Sequence, residues 1–174
     1  MTLTAKANPI ALSRLRARPL EMNVEQRKAV EEVVYRSCLA LDARDYKAFL
    51  ALCDPEFRYT ISTYSPEIRR EMVWLDHDRK GMETLFTNLP RHNSDHSPLT
   101  RLCTVYTVTA IGESAEVVSA VQVFKTELDG GATELFAVGR FHDTVKLAGA
   151  TPTLAKRLVR LETRLLGYGY HIPF

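Results

Sequence analysis

The amino-acid sequence predicts an α+β fold in which a cone-shaped, strongly curved antiparallel sheet wraps around an N-terminal helix. Residues 23–90 contain three segments with apolar residues at helical spacing and one alternating strand. Residues 100–165 then contain four long strand-like runs separated by short turns. Helices followed by a long antiparallel meander are typical of an α+β domain. Because these strands are too long and too few for a sandwich, a curved sheet around the first helix hides their inner faces best.

The length and composition predict one folded domain in a reducing compartment. With 174 residues the chain can bury a core without disulfides or metals, and we divide it into an N-terminal arm, residues 1–22, and a single α+β cone domain, residues 23–174. The 23 basic and 21 acidic residues are interspersed, which gives no reason to expect nucleic acid or an anionic membrane as a partner. No apolar run approaches the ~20 residues of a membrane span. Three cysteines without a C-x-x-C pair favour the cytoplasm.

Two helices are predicted at the start of the domain. Asn23 and Gln26 form a capping-box-like pair before residues 24–41, where apolar residues recur at helical spacing. Asp45 can cap a second, shorter helix. This helix ends at Pro55, because proline disfavours the helical conformation in the residue before it. The inward residues of the first helix are predicted to be Val30, Val33, Val34, Cys38 and Leu41.

The strands are predicted from alternation of apolar and polar residues. They cover residues 57–64, 102–111, 115–127, 134–147 and a last run that reaches residue 165. The polar segments 65–78 and 90–100 show no alternation and are predicted to be irregular loops. Asp129-Gly130-Gly131 is a strong hairpin signal. Within the third long run, the residues predicted to share one face are Leu135, Ala137, Phe141 and Val145. In the last run, one face is predicted to carry Val159, Leu161, Thr163 and Leu165, and the opposite face Arg160, Glu162 and Arg164.

The stretch Val73-Trp74-Leu75-Asp76-His77-Asp78-Arg79 concentrates unusual chemistry in one place. It holds the sole tryptophan together with two acids, a histidine and an arginine. The spacing of Met82, Leu85, Phe86 and Leu89 then predicts a third helix, which begins at Arg79 and is stopped by Pro90. A large aromatic side chain among clustered charges is typical of an interface anchor, a catalytic wall or a structural plug.

The order of these elements resembles the small (β) subunit of Rieske-type ring-hydroxylating oxygenases over residues 22–174. The Trp74-Leu75-Asp76-His77-Asp78-Arg79 loop carries this resemblance together with three local motifs. The motifs are Leu41-Asp42-Ala43-Arg44-Asp45-Tyr46, Asp54-Pro55-Glu56-Phe57-Arg58-Tyr59 and Gly139-Arg140-Phe141-His142-Asp143. The resemblance implies the cone-shaped fold of nuclear transport factor 2 and scytalone dehydratase.

The resemblance also implies partners and cofactors. It implies a structural, non-catalytic chain that holds neither iron nor a Rieske cluster. The Rieske [2Fe–2S] cluster and the mononuclear iron are expected in a large (α) subunit, which this chain supports as a trimer within an α3β3 hexamer. The charged segments Glu67-Ile68-Arg69-Arg70-Glu71 and Asp76-His77-Asp78 depart from the commonest pattern. They leave the substrate class open between an aromatic acid and a small sulfonate, as in methanesulfonate monooxygenase.

A subunit interface is the function that we predict for the Trp74 stretch. Tryptophan and arginine are concentrated at interface hot spots. The alternatives are that Trp74 plugs the wide mouth of the cone and that Asp78 serves only as a helix N-cap. The predicted interface residues are Trp74, Asp76, Asp78, Arg79, Arg69, Arg70, Arg160 and Arg164.

Two other kinds of site are weighed against this interface. Two histidines and a carboxylate can hold non-haem iron, and the candidates are His77, His92 and His96 with Asp76, Asp78 and Asp95. However, Pro90 and Pro98 bracket a loop, so a solvated or interface loop is favoured and no metal ligand is assigned.

A stand-alone dehydratase, an isomerase or a small-ligand accessory protein would instead use the cone cavity. Inward candidates for an acid or base are Tyr35, Asp42, Tyr59, Tyr106, His142 and Asp143. His142 and Asp143 are adjacent in a strand and therefore point to opposite faces, so they cannot form a catalytic pair.

Overall fold

Two helices open the described part of the chain. The structure is a computed structural model that describes residues 22–91, 95–166 and 172–174. Helix α1 spans Val24–Asp42 and helix α2 spans Tyr46–Ala51. The predicted capping box is confirmed, since the Asn23 side chain accepts a hydrogen bond from the Gln26 backbone N–H at 2.8 Å and the Gln26 side chain accepts one from the Asn23 N–H. The N-terminal arm lies outside the described residues, apart from Met22.

Six strands and a third helix follow. They are β1 Cys53–Ser65, β2 Arg70–Asp78, α3 Arg79–Asn88 with a 3-10 turn at Leu89–Arg91, β3 Leu99–Ile111, β4 Ser114–Thr126, β5 Thr133–Lys146 and β6 Thr153–Leu161. The sheet order is β2-β1-β6-β5-β4-β3. The predicted curved sheet with an N-terminal helix is confirmed. The sheet is not antiparallel throughout, because β1 and β6 run parallel.

Strand β2 corrects the prediction that residues 65–78 form an irregular loop. It pairs with β1 along its whole length and lies at one edge of the sheet. An edge strand is solvated on one side, so it tolerates charged residues that a central strand would exclude. The alternation was also interrupted at Trp74, because Ile61 and Ser62 of β1 pair with Leu75 and Val73 and leave Trp74 as the extra residue of a β-bulge.

Two further bulges place aromatic residues outside the regular pairing. Tyr106 is the extra residue of β3 at its bulge with β4, and Phe136 is the extra residue of β5 at its bulge with β4. A bulge bends its strand and increases the local twist, which helps the long strands to curve around α1. The bulge at Phe136 also explains why the predicted inward position of Leu135 is wrong. The residue is 54% exposed, whereas Ala137 is buried.

The last strand ends earlier than predicted. β6 ends at Leu161, and beyond it the backbone N–H groups of Glu162 and Thr163 both donate to the Val138 carbonyl. This doubled contact breaks the ladder, so Thr163 and Leu165 do not continue the inner face. Leu165 is 87% exposed.

The core lies between α1 and the inner face of the sheet. The predicted inward residues of α1 are confirmed, including Cys38. Phe49 of α2 meets Phe57, Tyr59 and Phe86 edge to face, with ring centroids 5.8 to 6.4 Å apart. Gly139 allows β6 to approach β5 closely, since a Cβ there would lie 2.5 Å from the Arg160 carbonyl oxygen. None of the described helices is long and apolar enough to cross a membrane.

Candidate subunit interface

The hairpin formed by β1 and β2 exposes a group of large apolar side chains. Trp74 is 41% exposed, so it is not buried in this chain as a core plug. The hairpin patch, as we call it, consists of Tyr64, Ile68, Val73 and Trp74. Contiguous exposed apolar residues at a sheet edge mark interaction sites more often than isolated ones do. The bulge at Trp74 supports this, because bulges re-aim side chains at the edges of sheets.

The two acids beside Trp74 are engaged within the chain. Asp76 receives two N–H donors of Arg58, one at 2.9 Å, and the Thr60 hydroxyl at 2.9 Å. The hydrogen bond from Arg58 holds the pKa of Asp76 below its ordinary value. Asp78 accepts from the Gly81 backbone N–H at 2.8 Å, so it is the N-cap of α3, as the alternative interpretation required.

Arg79 has a structural role. Its Nη1 group donates to the backbone carbonyls of Leu50, Cys53 and Asp54 at 3.0, 2.8 and 3.3 Å. These carbonyls lie at the end of α2 and the start of β1, so Arg79 joins α3 to both elements. It is therefore less available to a partner than predicted.

The four remaining arginines border the hairpin patch. Arg160 lies 3.3 Å from Glu71, and Arg164 pairs with Glu67, so both tie the hairpin to the end of the sheet. Arg69 and Arg70 make no ion pair with any described residue, and Arg69 adopts a positive φ of 54° in the turn. Of the predicted set, Trp74, Arg69 and Arg70 are the members whose side chains make no hydrogen bond or ion pair with any described residue.

The candidate iron ligands are not brought together. His77 lies against α3, where a Cβ added at Gly81 would be 3.0 Å from its ring. His96 is exposed in the segment before β3, and His92 lies outside the described residues. Among the residues that the structure describes, no three His, Cys, Asp or Glu side chains are grouped to hold a metal ion.

The interior of the cone contains an ion pair. Asp143 accepts from Nε and Nη2 of Arg157 at 2.9 and 2.7 Å, and both side chains are fully buried. Burial would lower the pKa of Arg157, but the neighbouring carboxylate outweighs burial and raises it. Asp143 is thus committed to a structural pair and does not face a free cavity as a base.

The other inward candidates divide between the two faces. Tyr59 is buried, and burial raises its pKa, whereas Tyr35 and Tyr106 are exposed and were wrongly predicted to point inward. His142 lies on the outer face and Asp143 on the inner one, as their adjacency required. Asp42 pairs with Arg101 at the end of α1.

Sequence reasoning missed two groups of residues. The first group consists of two buried arginines, Arg101 and Arg157. In β6 the alternation of inner and outer side chains places Arg157 on the same face as Val159 and Leu161, and this alternation could have revealed that Arg157 points inward. The second group is a patch at the opposite edge of the sheet, where exposed residues of α1 and β3 meet. It contains Tyr35, Leu39, Leu102 and Tyr106.

Comparisons with known proteins assign the chain to a family. The model of the family described as "Ring hydroxylating beta subunit" matches residues 36–167. The chain is 42% identical over 154 residues to the methanesulfonate monooxygenase hydroxylase subunit beta of Methylosulfonomonas methylovora, covering 83% of this chain and 85% of the relative. It is 31% identical over 146 residues to the 2-aminobenzenesulfonate 2,3-dioxygenase subunit beta of an Alcaligenes species, covering 83% and 97%.

A solved structure shows the same fold. A chain of naphthalene 1,2-dioxygenase with indole bound in the active site superposes with a TM-score of 0.73 at 17% identity, covering 94% of this chain and 93% of that chain. The predicted nuclear transport factor 2-like class is confirmed. This protein belongs to the family of ring-hydroxylating oxygenase beta subunits.

Proposed function

We propose that this chain is the structural, non-catalytic subunit of a Rieske-type non-haem iron oxygenase and that it supports assembly of the large catalytic subunit. The observation that carries the proposal is the family match over residues 36–167. The interior supports it, because the inward carboxylate Asp143 is neutralised by Arg157. A dehydratase or isomerase in this fold would need such a group free to accept a proton.

Among the described residues, the possible donor side chains do not fit a Rieske cluster or a mononuclear iron site. Cys38 and Cys53 are buried at separate places, on α1 and at the start of β1. The described histidines are also separated, with His77 on β2 and His142 on the outer face of β5. We therefore assign both iron groups to the large subunit.

A sulfonate is the substrate class that we propose for the complex. The two relatives are beta subunits of a methanesulfonate monooxygenase and a 2-aminobenzenesulfonate 2,3-dioxygenase, and both names contain a sulfonate. The higher identity, 42%, is to the methanesulfonate protein. A small alkylsulfonate is therefore the first substrate to test, and an aromatic sulfonate is the second.

The hairpin patch is the surface that we propose for the large subunit. It contains an amphipathic indole ring and is bordered by two arginines, Arg69 and Arg70, that are not neutralised by the described residues. A hot spot of this kind needs an apolar pocket and acidic groups on the partner. We further propose that three copies of this chain join three large subunits in the cytoplasm, a location in keeping with its three free cysteines.

Co-expression with the large subunit tests this function. The partner is expected to be encoded in the neighbouring reading frame and to carry Cys-x-His and Cys-x-x-His cluster motifs. The two chains should co-purify in equal amounts with a mass equal to three copies of each. Supplied with an external electron donor and its reductase, the complex should consume oxygen in the presence of methanesulfonate or 2-aminobenzenesulfonate. A monodisperse monomer that does not bind the large subunit would refute the proposal.

A further inference from the structure

Helix α1 lies along the edge strand β3 and is fastened to it at two points. The Asp42 carboxylate receives Nη1 of Arg101 and, at 3.2 Å, the Arg101 backbone N–H. Nearer the start of α1, the Tyr35 hydroxyl accepts from the Val105 backbone N–H at 3.5 Å. The helix and the strand therefore run in opposite directions, with residues 35–42 of α1 beside residues 101–105 of β3.

Cys38 and Cys103 lie between these two points. Cys38 follows Tyr35 by three residues and precedes Asp42 by four, so the three side chains share one face of the helix. Cys103 is two residues from each contact residue of β3, so it lies on the same face of the sheet as they do. One helical turn and two strand residues have similar lengths, about 5.4 and 6.6 Å, which keeps this register. The two thiols consequently meet, and each is the hydrogen-bonding partner of the other.

The two cysteines differ in their exposure to solvent and in the charges around them. Cys38 is 4% exposed, whereas Cys103 is half-buried, so a small reagent reaches Cys103 first. The hydrogen bond with Cys103 lowers the pKa of Cys38 against the effect of burial, and the charge of Arg157 lowers it further. Nη1 of Arg157 is buried and has no hydrogen-bond partner among the described residues. The same hydrogen bond, followed by burial, raises the pKa of Cys103, so negative charge at the pair rests on the Cys38 sulfur.

Cys53 lies in a different environment. Its thiol donates to the Phe49 carbonyl at 3.3 Å, and burial raises its pKa to about 12. A cysteine that is both buried and protonated is inert. Cys53 is therefore an internal control for the other two cysteines.

We propose that Cys38 and Cys103 form a redox-sensitive pair that hydrogen peroxide converts into a disulfide between α1 and β3. The Cys103 sulfur attacks a peroxide oxygen while the Cys38 thiolate takes its proton; an S–O bond forms, the O–O bond breaks and hydroxide leaves. The Cys38 sulfur then attacks the Cys103 sulfenic acid. An S–S bond forms, the S–O bond breaks, and the oxygen leaves with the Cys38 proton as water. Each sulfur loses one electron, and the peroxide accepts both.

Peptide mapping of the full chain after treatment with hydrogen peroxide tests the pair. The chain should lose the mass of two hydrogen atoms and two of its three thiols. A digest prepared without reductant should contain the Cys38 peptide joined to the Cys103 peptide. Dithiothreitol should reverse the change, because disulfides of reducing compartments are usually transient. In urea, where the fold no longer selects partners, all three pairings of the cysteines should appear.

Several results with the unaltered chain would overturn the proposal. They are an unchanged mass, a gain of oxygen at Cys103 without a cross-link, a cross-link between two chains, and a cross-link that includes Cys53. Each of them would mean that the two thiols do not react with each other in the folded chain. This measurement needs no variant, so it stands even if a substitution impairs folding.

Two variants identify the role of each sulfur. Cys53→Ser is the matched control and should form the cross-link as fast as the unaltered chain. Cys38→Ser removes the base and the second sulfur, so the cross-link should be lost and the Cys103 sulfenic acid should persist long enough to be trapped by dimedone. A slower reaction in Cys53→Ser, or a bond between Cys103 and Cys53 in Cys38→Ser, would contradict the assignment.

Discussion

Asp143 and Arg157 lie directly opposite each other on β5 and β6 and form a two-bond ion pair from which solvent is excluded. The Arg157 guanidinium also lies 4.0 Å from the centroid of the Phe141 ring. The pair gives the interior one positive and one negative charge and commits both to holding neighbouring strands together. A cone interior that supports catalysis in other proteins is here a polar part of the core.

Removing one member of this pair should be strongly destabilising. Arg157→Met leaves the Asp143 carboxylate buried without a counter-charge, and breaking such a pair costs about 3–5 kcal/mol. Urea denaturation of the isolated chain measures the loss. Arg140→Met is the matched control, because Arg140 pairs with Glu162 at the surface and exposed pairs contribute about 1 kcal/mol or less. If both variants lose the same small amount, the buried pair is not a main support of the core.

The stability should depend on pH through His142. Burial, followed by the charge of Arg160, lowers the pKa of His142 from 6.5. The unfolded chain therefore binds a proton at His142 more readily than the folded chain does. The free energy of unfolding has its full value above pH 6.5, and part of it is lost as the pH falls through the lower pKa of His142 in the folded chain. Melting temperatures between pH 7.5 and 5 should decline, and His142→Gln should flatten the decline. An unchanged slope in this variant would contradict the assignment.

Replacing Trp74 should weaken assembly without unfolding the chain. Because Trp74 is exposed at the bulge of β2, Trp74→Ala should leave the melting temperature of the isolated chain nearly unchanged. At an interface hot spot the same change should cost about 2 kcal/mol or more in binding to the large subunit, roughly a thirtyfold loss of affinity. Thermal denaturation of the isolated chain measures the first effect, and calorimetric titration with the large subunit measures the second.

Tyr106 is the matched control for Trp74. It is also an exposed aromatic residue at a bulge, but it lies on β3 at the opposite edge of the sheet. Tyr106→Ala should not affect binding of the large subunit if the hairpin patch is the docking surface. If Tyr106→Ala weakens binding and Trp74→Ala does not, the interface lies on the patch formed by α1 and β3.

The isolated chain should contain no stoichiometric iron. No three His, Cys, Asp or Glu side chains of the described residues are grouped to hold a metal ion, so we expect a colourless protein with far less than one iron per chain by elemental analysis. The complex with the large subunit should contain the iron instead. About one iron per isolated chain, lost in His77→Ala or His96→Ala, would contradict the structural role.

Gly139→Ala should disturb the pairing of β5 with β6. The new Cβ would meet the Arg160 backbone oxygen at 2.5 Å and Leu161 at 3.0 Å, so the strands would have to separate. Overpacking of this kind costs about 1–3 kcal/mol, occasionally more. Thermal denaturation should show the loss. Stability equal to that of the unaltered chain would show that the strands can shift without penalty.

Local sequence signals predicted the elements whose stability is local. Asn23 with Gln26 and Asp45 marked helix starts because a capping side chain bonds to its own next turn. The turn at Asp129-Gly130-Gly131 was predicted because positive φ angles, here 77° and 66° at the glycines, favour glycine. Such signals depend on neighbours along the chain, and they are visible without any knowledge of tertiary contacts.

Features set by distant contacts were not predicted. Strand β2 was missed because its charged residues are tolerated only at an edge, and Trp74 breaks its alternation. The bulge at Phe136, which turns Leu135 outward, depends on pairing with β4. The contacts of Asp76 and Arg79 within the chain were not predicted for the same reason, since their partners Arg58 and Leu50 lie 18 and 29 residues away. The sequence marked the residue types of the candidate interface, but neither the edge position of β2 nor the internal pairing of its charges was predicted.

The parallel pairing of β1 with β6 has a consequence for biosynthesis. β1 is among the first strands to leave the ribosome, but its partner in the middle of the sheet is the last strand to be made. Until then one side of β1 presents unpaired N–H and C=O groups, which can template pairing between chains. Pairings between residues far apart in sequence also form slowly. Nascent chains should therefore depend on chaperones until residue 161 has emerged, and a ribosome that stalls before β6 should yield aggregates enriched in the β1–β2 hairpin.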